Sequence, residues 1–457
     1  MCDLKLIRTG RFLIYLHGLL IFILFFMDFQ SMNFAIVCMQ GNSSNHSGWS
    51  YIEETTVITM YGIGTLVGQV PCGLLVNRFQ ARSTLLSALA ISFLSSTILP
   101  FAIVHLNFNV IVAGIFRFVS GFVSTVIQPA RSATLNLWCP NRELTFALTL
   151  SSIGLPLGFG LMNFLSGFLC SSPAGWKAIF WLSGSLSFLT FLITAIGFAN
   201  SPETQRSWLM GEDELEFIRK ERNFRGDTDG KCRKTEIPWK PILTSPQIWA
   251  AAVAKFVAHW HMVTINGLGP LFLSSCLDSH SAENGLINAL YPGISCIVRI
   301  LIMIIGYRSW LNRSALINTL CFASIALSLL PIICLPCSEL SIPLVLAGGI
   351  FGTLFQSLDV LTYLKSEVSL APPFSAIVTG LCTGSARIAH VLAPVVAGQI
   401  LQVTGEHGWQ LSYGICAILL AVGGSCYLIK GSVKPLPWAK SRITASNSAG
   451  QPLVQHT

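Results

Sequence analysis

Charged side chains are scarce in this chain: 28 Lys and Arg with 20 Asp and Glu make up 11% of its 457 residues. A water-exposed domain carries about 25%. Half that fraction cannot coat a soluble protein, and a content of 52% hydrophobic residues excludes a disordered chain. A cysteine framework is also lacking. The 14 cysteines are scattered, most of them inside apolar runs (Cys38, Cys72, Cys296, Cys321, Cys416, Cys426), which speaks against a disulfide scaffold. Cys334 and Cys337 have redox or metal spacing but no second pair. No nucleophile, base and orienting group, and no set of metal ligands, gathers at one depth, so the sequence predicts neither an enzyme nor a cofactor beyond a coupling sodium ion or proton.

What is present is apolar sequence of membrane length, and the mean hydropathy is +0.65. Stretches near 12–39, 56–76, 84–105, 108–130, 146–170 and 177–198 precede a polar loop, and 247–275, 284–306, 314–335, 341–364, 374–402 and 409–430 follow it. The prediction is an all-α membrane protein with twelve transmembrane helices. Residues 1–11 form an N-terminal segment, 12–198 a first set of six helices, 199–246 a linker, 247–430 a second set of six and 431–457 a tail. The first stretch is too long for a cleaved signal peptide.

Lys5, Arg8 and Arg11 flank the first span, whereas the next loop carries Glu53 and Glu54 and no Lys or Arg. Alternating sides then collects Arg78, Arg82, Arg142, Arg308, Arg313, Lys365, Lys430 and Lys434 on the face of the termini. That face is predicted to be cytoplasmic. Asn42 and Asn45 are N-glycosylation acceptors in a loop assigned outside. The two sets of six read as repeats: Gly167 with Gly175-Trp176, and Gly398 with Gly408-Trp409, recur at an offset near half the chain.

Span two and its exit read Gln69-Val70-Pro71-Cys72-Gly73, then Asn77, Arg78 and Arg82. This resembles the loop motif after span two of the major facilitator superfamily, in which a glycine packs the helix end and an arginine offsets the negative end of a neighbouring helix. Asn77 stands where the superfamily has Asp. Further segments include Trp49-Ser50, Arg117 with Gly121, Pro129-Ala130, Trp138 with Pro140 and Glu143, and Gly175-Trp176. Later come Ala371-Pro372, Pro394, Gly408-Trp409 and Pro437-Trp438-Ala439. Together these are similar to the anion/cation symporter family of type I sodium/phosphate and urate transporters, sialin, and vesicular glutamate and nucleotide transporters, nearest the sodium/phosphate branch.

The resemblance implies two bundles rocking around a midplane site that binds a small anionic solute such as phosphate, urate or a carboxylate. Sodium- or potential-coupled transport is expected, at the plasma membrane rather than a vesicle or lysosome. Some family charges are missing: the span-one arginine falls on Phe29, the span-four glutamate on Ser124 and the span-seven arginine on Ala258. The charges left inside the spans are Asp28, Arg117, Lys255, Arg299, Asp359 and Arg387, and intramembrane charges usually face a cavity or a partner. Arg117, Lys255 and Arg387 are the candidate substrate ligands, and Asp28 and Asp359 the candidate ion-coupling groups. Gly73, Asn77, Arg78 and Arg82 form the candidate conformational motif. Two alternatives stand beside this reading: a carrier of a neutral or cationic solute, and a receptor-like or scaffolding member that transports nothing.

Overall fold

The computed structural model describes residues 9–41, 48–107, 109–204, 211–223, 238–305, 313–371 and 374–439, and all regular structure among them is helical. Asn42 and Asn45 lie outside the described residues. In the first half, α1 (Gly10–Gly41), α2 (Tyr51–Phe79) and α3 (Ala81–His105) are single spans. The fourth is α4 (Val110–Ser124) continued by α5 (Ile127–Trp138), and α6 (Asn141–Cys170) and α7 (Trp176–Gly197) complete the six. The linker contributes α8 (Glu212–Asn223) and α9 (Trp239–Thr244).

In the second half, α10 (Pro246–Met262) passes through a π turn, Val263–Gly267, into α11 (Gly269–Leu277), and α12 (Ser281–Ile305) is the eighth span. The ninth breaks between α13 (Ser314–Ser328) and α14 (Leu330–Cys334), where Pro331 cannot donate the hydrogen bond that would continue the helix. The tenth is α15 (Ile342–Gln356), a 3-10 turn over Ser357–Leu361, and α16 (Tyr363–Ser369). The last two are α17 (Ser375–Thr404) and α18 (His407–Lys430). Eleven of these spans are long and apolar enough to cross a membrane, and α13 is a shorter apolar helix.

Small residues bring the helices together. A methyl group on Gly121 would collide with the Tyr61 carbonyl, so α2 and α4 pack backbone to backbone. Gly154 and Gly158 admit α1 against α6 in the same way. Between the halves, α6 packs on α12 and α2 on α17. Gly167 meets Gly285 and Gly398 receives Thr55. Gln30 donates to the Asn266 carbonyl at 2.7 Å and Asn163 to that of Asn288 at 3.1 Å. By helix register these meetings lie in the half of the molecule away from the termini. Leu74, Ile111 and Val403 are among the large apolar side chains left exposed on the outside of the bundle, where a bilayer rather than water is their natural solvent.

Two disulfides form although the scatter of the cysteines speaks against a disulfide scaffold. Cys38 at the far end of α1 bonds Cys170 at the far end of α6, and Cys276 of α11 bonds Cys337 in the turn before α15. The partners are 132 and 61 residues apart, so only the antiparallel return of the spans brings them together. Cys334 remains free and exposed.

Candidate functional site

Between the halves lies a cavity of about 290 Å³, large enough for a small organic solute. Aromatic rings of α1 (Phe22, Phe25, Phe26) and Phe159 of α6 form one wall. The opposite wall belongs to α10, α12, the tenth span and α17. There Lys255, Arg299, Asp359 and Arg387 line the space, with Arg131 of α5 facing them from the first half.

Two of these cations are neutralised. Lys255 Nζ lies 2.8 Å from Glu367 Oε2 and donates to Thr383 Oγ1 at 3.1 Å. Arg299 Nη2 lies 2.9 Å from Asp359 Oδ2, which also accepts from the Tyr363 hydroxyl at 3.4 Å. The other two are not. Among the described residues no acidic side chain pairs with Arg131 or Arg387, and the Nε of each has no hydrogen-bond partner. Arg131 stacks on Phe22 with its guanidinium carbon 4.3 Å from the ring centre, and Arg387 stands 6.0 Å from that of Phe25. Above Arg387, two imidazoles share a hydrogen bond: His259 Nδ1 lies 2.9 Å from His390 Nε2, and both rings line the cavity.

Arg117 and Asp28 sit elsewhere. Arg117 is 1% exposed, outside the cavity lining, and donates to the backbone carbonyls of Asp28 at 3.0 Å and Phe29 at 2.9 Å while resting on the Tyr61 ring at 4.5 Å. Asp28 Oδ1 accepts from Ser96 at 3.3 Å and Ser183 at 3.5 Å. The pair therefore ties the middle of span one to spans three, four and six. In the conformational motif, Arg82 Nη2 donates to the Ala195 carbonyl in the last turn of α7 at 2.6 Å, and its backbone N–H to Asn200 at 2.9 Å. Arg78 lies over Phe79, and Asn77 is exposed. Gly73, expected to pack the helix end, faces open space; the close approach is made earlier, at Gly64 and Gly68 against Phe118, Phe122 and Thr125.

A family model described as Major Facilitator Superfamily matches residues 18–369. The chain belongs to the major facilitator superfamily. It is a multi-pass membrane transporter, and its curated relatives are consistent with the anion/cation symporter branch. Among them, vesicular glutamate transporter 2 of Bos taurus is 23% identical over 92% of this chain and 74% of that protein. An uncharacterized transporter of Caenorhabditis elegans is 24% identical over 95% of this chain and 94% of that one. The probable small intestine urate exporter of Homo sapiens is 22% identical over 86% and 78%.

Solved structures share the facilitator fold at low identity. The xylose transporter of E. coli in an inward-open conformation superposes with a TM-score of 0.72 at 12% identity, covering 92% of this chain and 96% of that one. A bacterial homolog of the human lysosomal transporter Spinster gives 0.69 at 14% identity, covering 93% and 97%.

A cavity residue of this facilitator, Arg131, and the partner of another, Glu367 against Lys255, lie just beyond the sequence reading. Arg131 directly follows the predicted end of span four at 130, and Glu367 follows Lys365, which reads as a flank. Both belong to helices that run further, to Trp138 and Ser369. Counting the helical face onward past each basic residue is the signal that finds them.

Proposed function

We propose that this transporter moves a small organic or inorganic anion by alternating access, with the anion held between Arg131 and Arg387. The observation that carries this reading is the charge balance of the cavity: two ion pairs cancel, and two guanidinium groups remain without a carboxylate. A desolvated cation without a counter-charge is costly inside a membrane protein, and a bound anion removes that cost. Guanidinium forks bind carboxylate, phosphate or sulfate in two parallel hydrogen bonds. The names of the relatives, a glutamate transporter and a urate exporter, point to the same class of solute.

Placement supports the transport cycle as well. Arg131 stands on the first half and Arg387 on the second, so one anion engaging both ties the halves together across the site. Lys255 is then a structural partner of Glu367, and Arg117 a brace for span one, rather than substrate ligands.

The two disulfides bear on orientation. Such bonds persist in oxidising compartments, so we assign their face to the outside or to an organelle lumen and the termini to the cytosol. The experiment is uptake of labelled phosphate, sulfate, L-glutamate and urate into liposomes holding the purified protein, with Arg131→Ala and Arg387→Ala alongside. Saturable uptake of at least one anion, reduced in both variants, is the expected result; a well-folded protein that moves none of them overturns the reading.

A further inference from the structure

We propose that His259 and His390 are the proton-binding site of this carrier, and that proton and anion bind together. This rests on the anion reading above and adds the coupling ion to it. The two rings are joined Nδ1 to Nε2 at 2.9 Å across α10 and α17, and both line the cavity. In that bond one ring donates and the other accepts, so the accepting nitrogen carries no proton. The donor ring's second nitrogen keeps a free lone pair, and a proton added there leaves the bond between the rings in place and puts a new positive charge in the cavity.

The surroundings decide what that charge meets. Lys255 lies four residues before His259 on α10, and Arg387 three residues before His390 on α17, so each ring stands over a cation on the same helix face. Arg131 of α5 and the Arg299–Asp359 pair line the same cavity. Phe29 of α1 packs on the His390 ring at 5.7 Å, and the His390 backbone meets Gly62 of α2, next to Tyr61. Glu367 is bound to Lys255 and is absent from the cavity lining.

Without an anion, protonation adds to an uncompensated positive field and is opposed. With an anion on Arg387 the field is offset, and the proton is accepted. By reciprocity the proton strengthens anion binding by the same factor. The nearby carboxylates serve this role poorly: Asp359, in the cavity lining, and Glu367, behind Lys255, are held by cations at 2.9 and 2.8 Å, and protonating either dissolves an ion pair. Histidine is the side chain that ordinarily titrates between pH 5 and 8.

The test is equilibrium binding of L-glutamate and of sulfate, whose charges are constant between pH 5.5 and 8, to purified wild-type protein, His259→Gln and His390→Gln. A pH-indicator dye in weak buffer records proton uptake on anion addition. The wild type is expected to bind the anion about tenfold more tightly at pH 5.5 than at pH 8, within the usual range of coupling between two sites, and to take up close to one proton. In both variants the ratio of the two affinities falls to about one and the proton uptake disappears. His261→Gln, on the same helix but lining a different, smaller cavity, keeps the wild-type ratio and controls for a general effect on α10. Anion binding that is pH-independent in the wild type, or a ratio that survives in both variants, overturns the proton site while leaving the anion reading intact. Absence of binding of either anion at any pH overturns the anion reading, and the proton site with it.

Discussion

Arg131 of α5 and Arg387 of α17 enter one cavity from opposite halves of the molecule, and neither meets an acidic side chain among the described residues. Every other cation in that lining is spoken for: Lys255 by Glu367, Arg299 by Asp359. The asymmetry separates charges that hold the protein together from charges left for a solute, and it makes the two classes respond differently to mutation.

Lys255→Met leaves the Glu367 carboxylate buried without its counter-charge, a change that typically costs about 3–5 kcal/mol. Lys255→Met combined with Glu367→Met removes both charges, and its melting temperature in detergent is expected to lie above that of Lys255→Met alone. Strictly additive losses in the two single variants would show that the pair is not an energetic unit.

Backbone packing gives a second expectation. Gly121→Val forces a branched side chain into the Tyr61 carbonyl and is expected to cost about 1–3 kcal/mol or more, read as a lowered melting temperature and poor recovery from the membrane. Gly73→Ala, where a methyl group meets open space, leaves the melting temperature within a degree or two of wild type by the small effect typical of substitutions that disturb no packing, about 0.5 kcal/mol. A tolerant Gly121 would contradict the packing of α2 on α4.

Thiol chemistry checks the orientation. In sealed vesicles of known sidedness, a membrane-impermeant maleimide added on the non-cytosolic side is expected to label free, exposed Cys334 directly. It labels Cys276 and Cys337 only after an impermeant reductant. In Cys334→Ala the first signal vanishes and the second remains. Labelling that needs access from the cytosolic side would reverse the assignment of the termini.

Much of the architecture is legible in the sequence because membrane burial imposes long apolar runs, and because the segments resembling facilitators are spread over nearly the whole chain. The site is legible only in part. Lys255, Asp359 and Arg387 are charges embedded in apolar sequence, and they do line the cavity. Arg117 carries the same signature yet turns to the backbone of span one, since depth in the membrane does not say which way a side chain points. Arg131 and Glu367 escape because a basic residue at the edge of an apolar run reads as its end, while the helix continues. The His259–His390 bond and the two disulfides join residues more than 60 positions apart. They follow from how antiparallel spans return past one another, which no local pattern encodes.

The central claim is that one anion bridges Arg131 and Arg387, and a double-mutant cycle on anion affinity tests it most directly. Charge-assisted hydrogen bonds contribute about 1.5–3 kcal/mol, so Arg131→Ala and Arg387→Ala are each expected to weaken binding of the transported anion by roughly 10- to 100-fold. If both hold the same anion, the double variant is expected to bind less weakly than the product of the single effects requires, with a coupling of about 0.5 kcal/mol or more. Single variants that bind like wild type, or losses that multiply without coupling, would contradict a shared site.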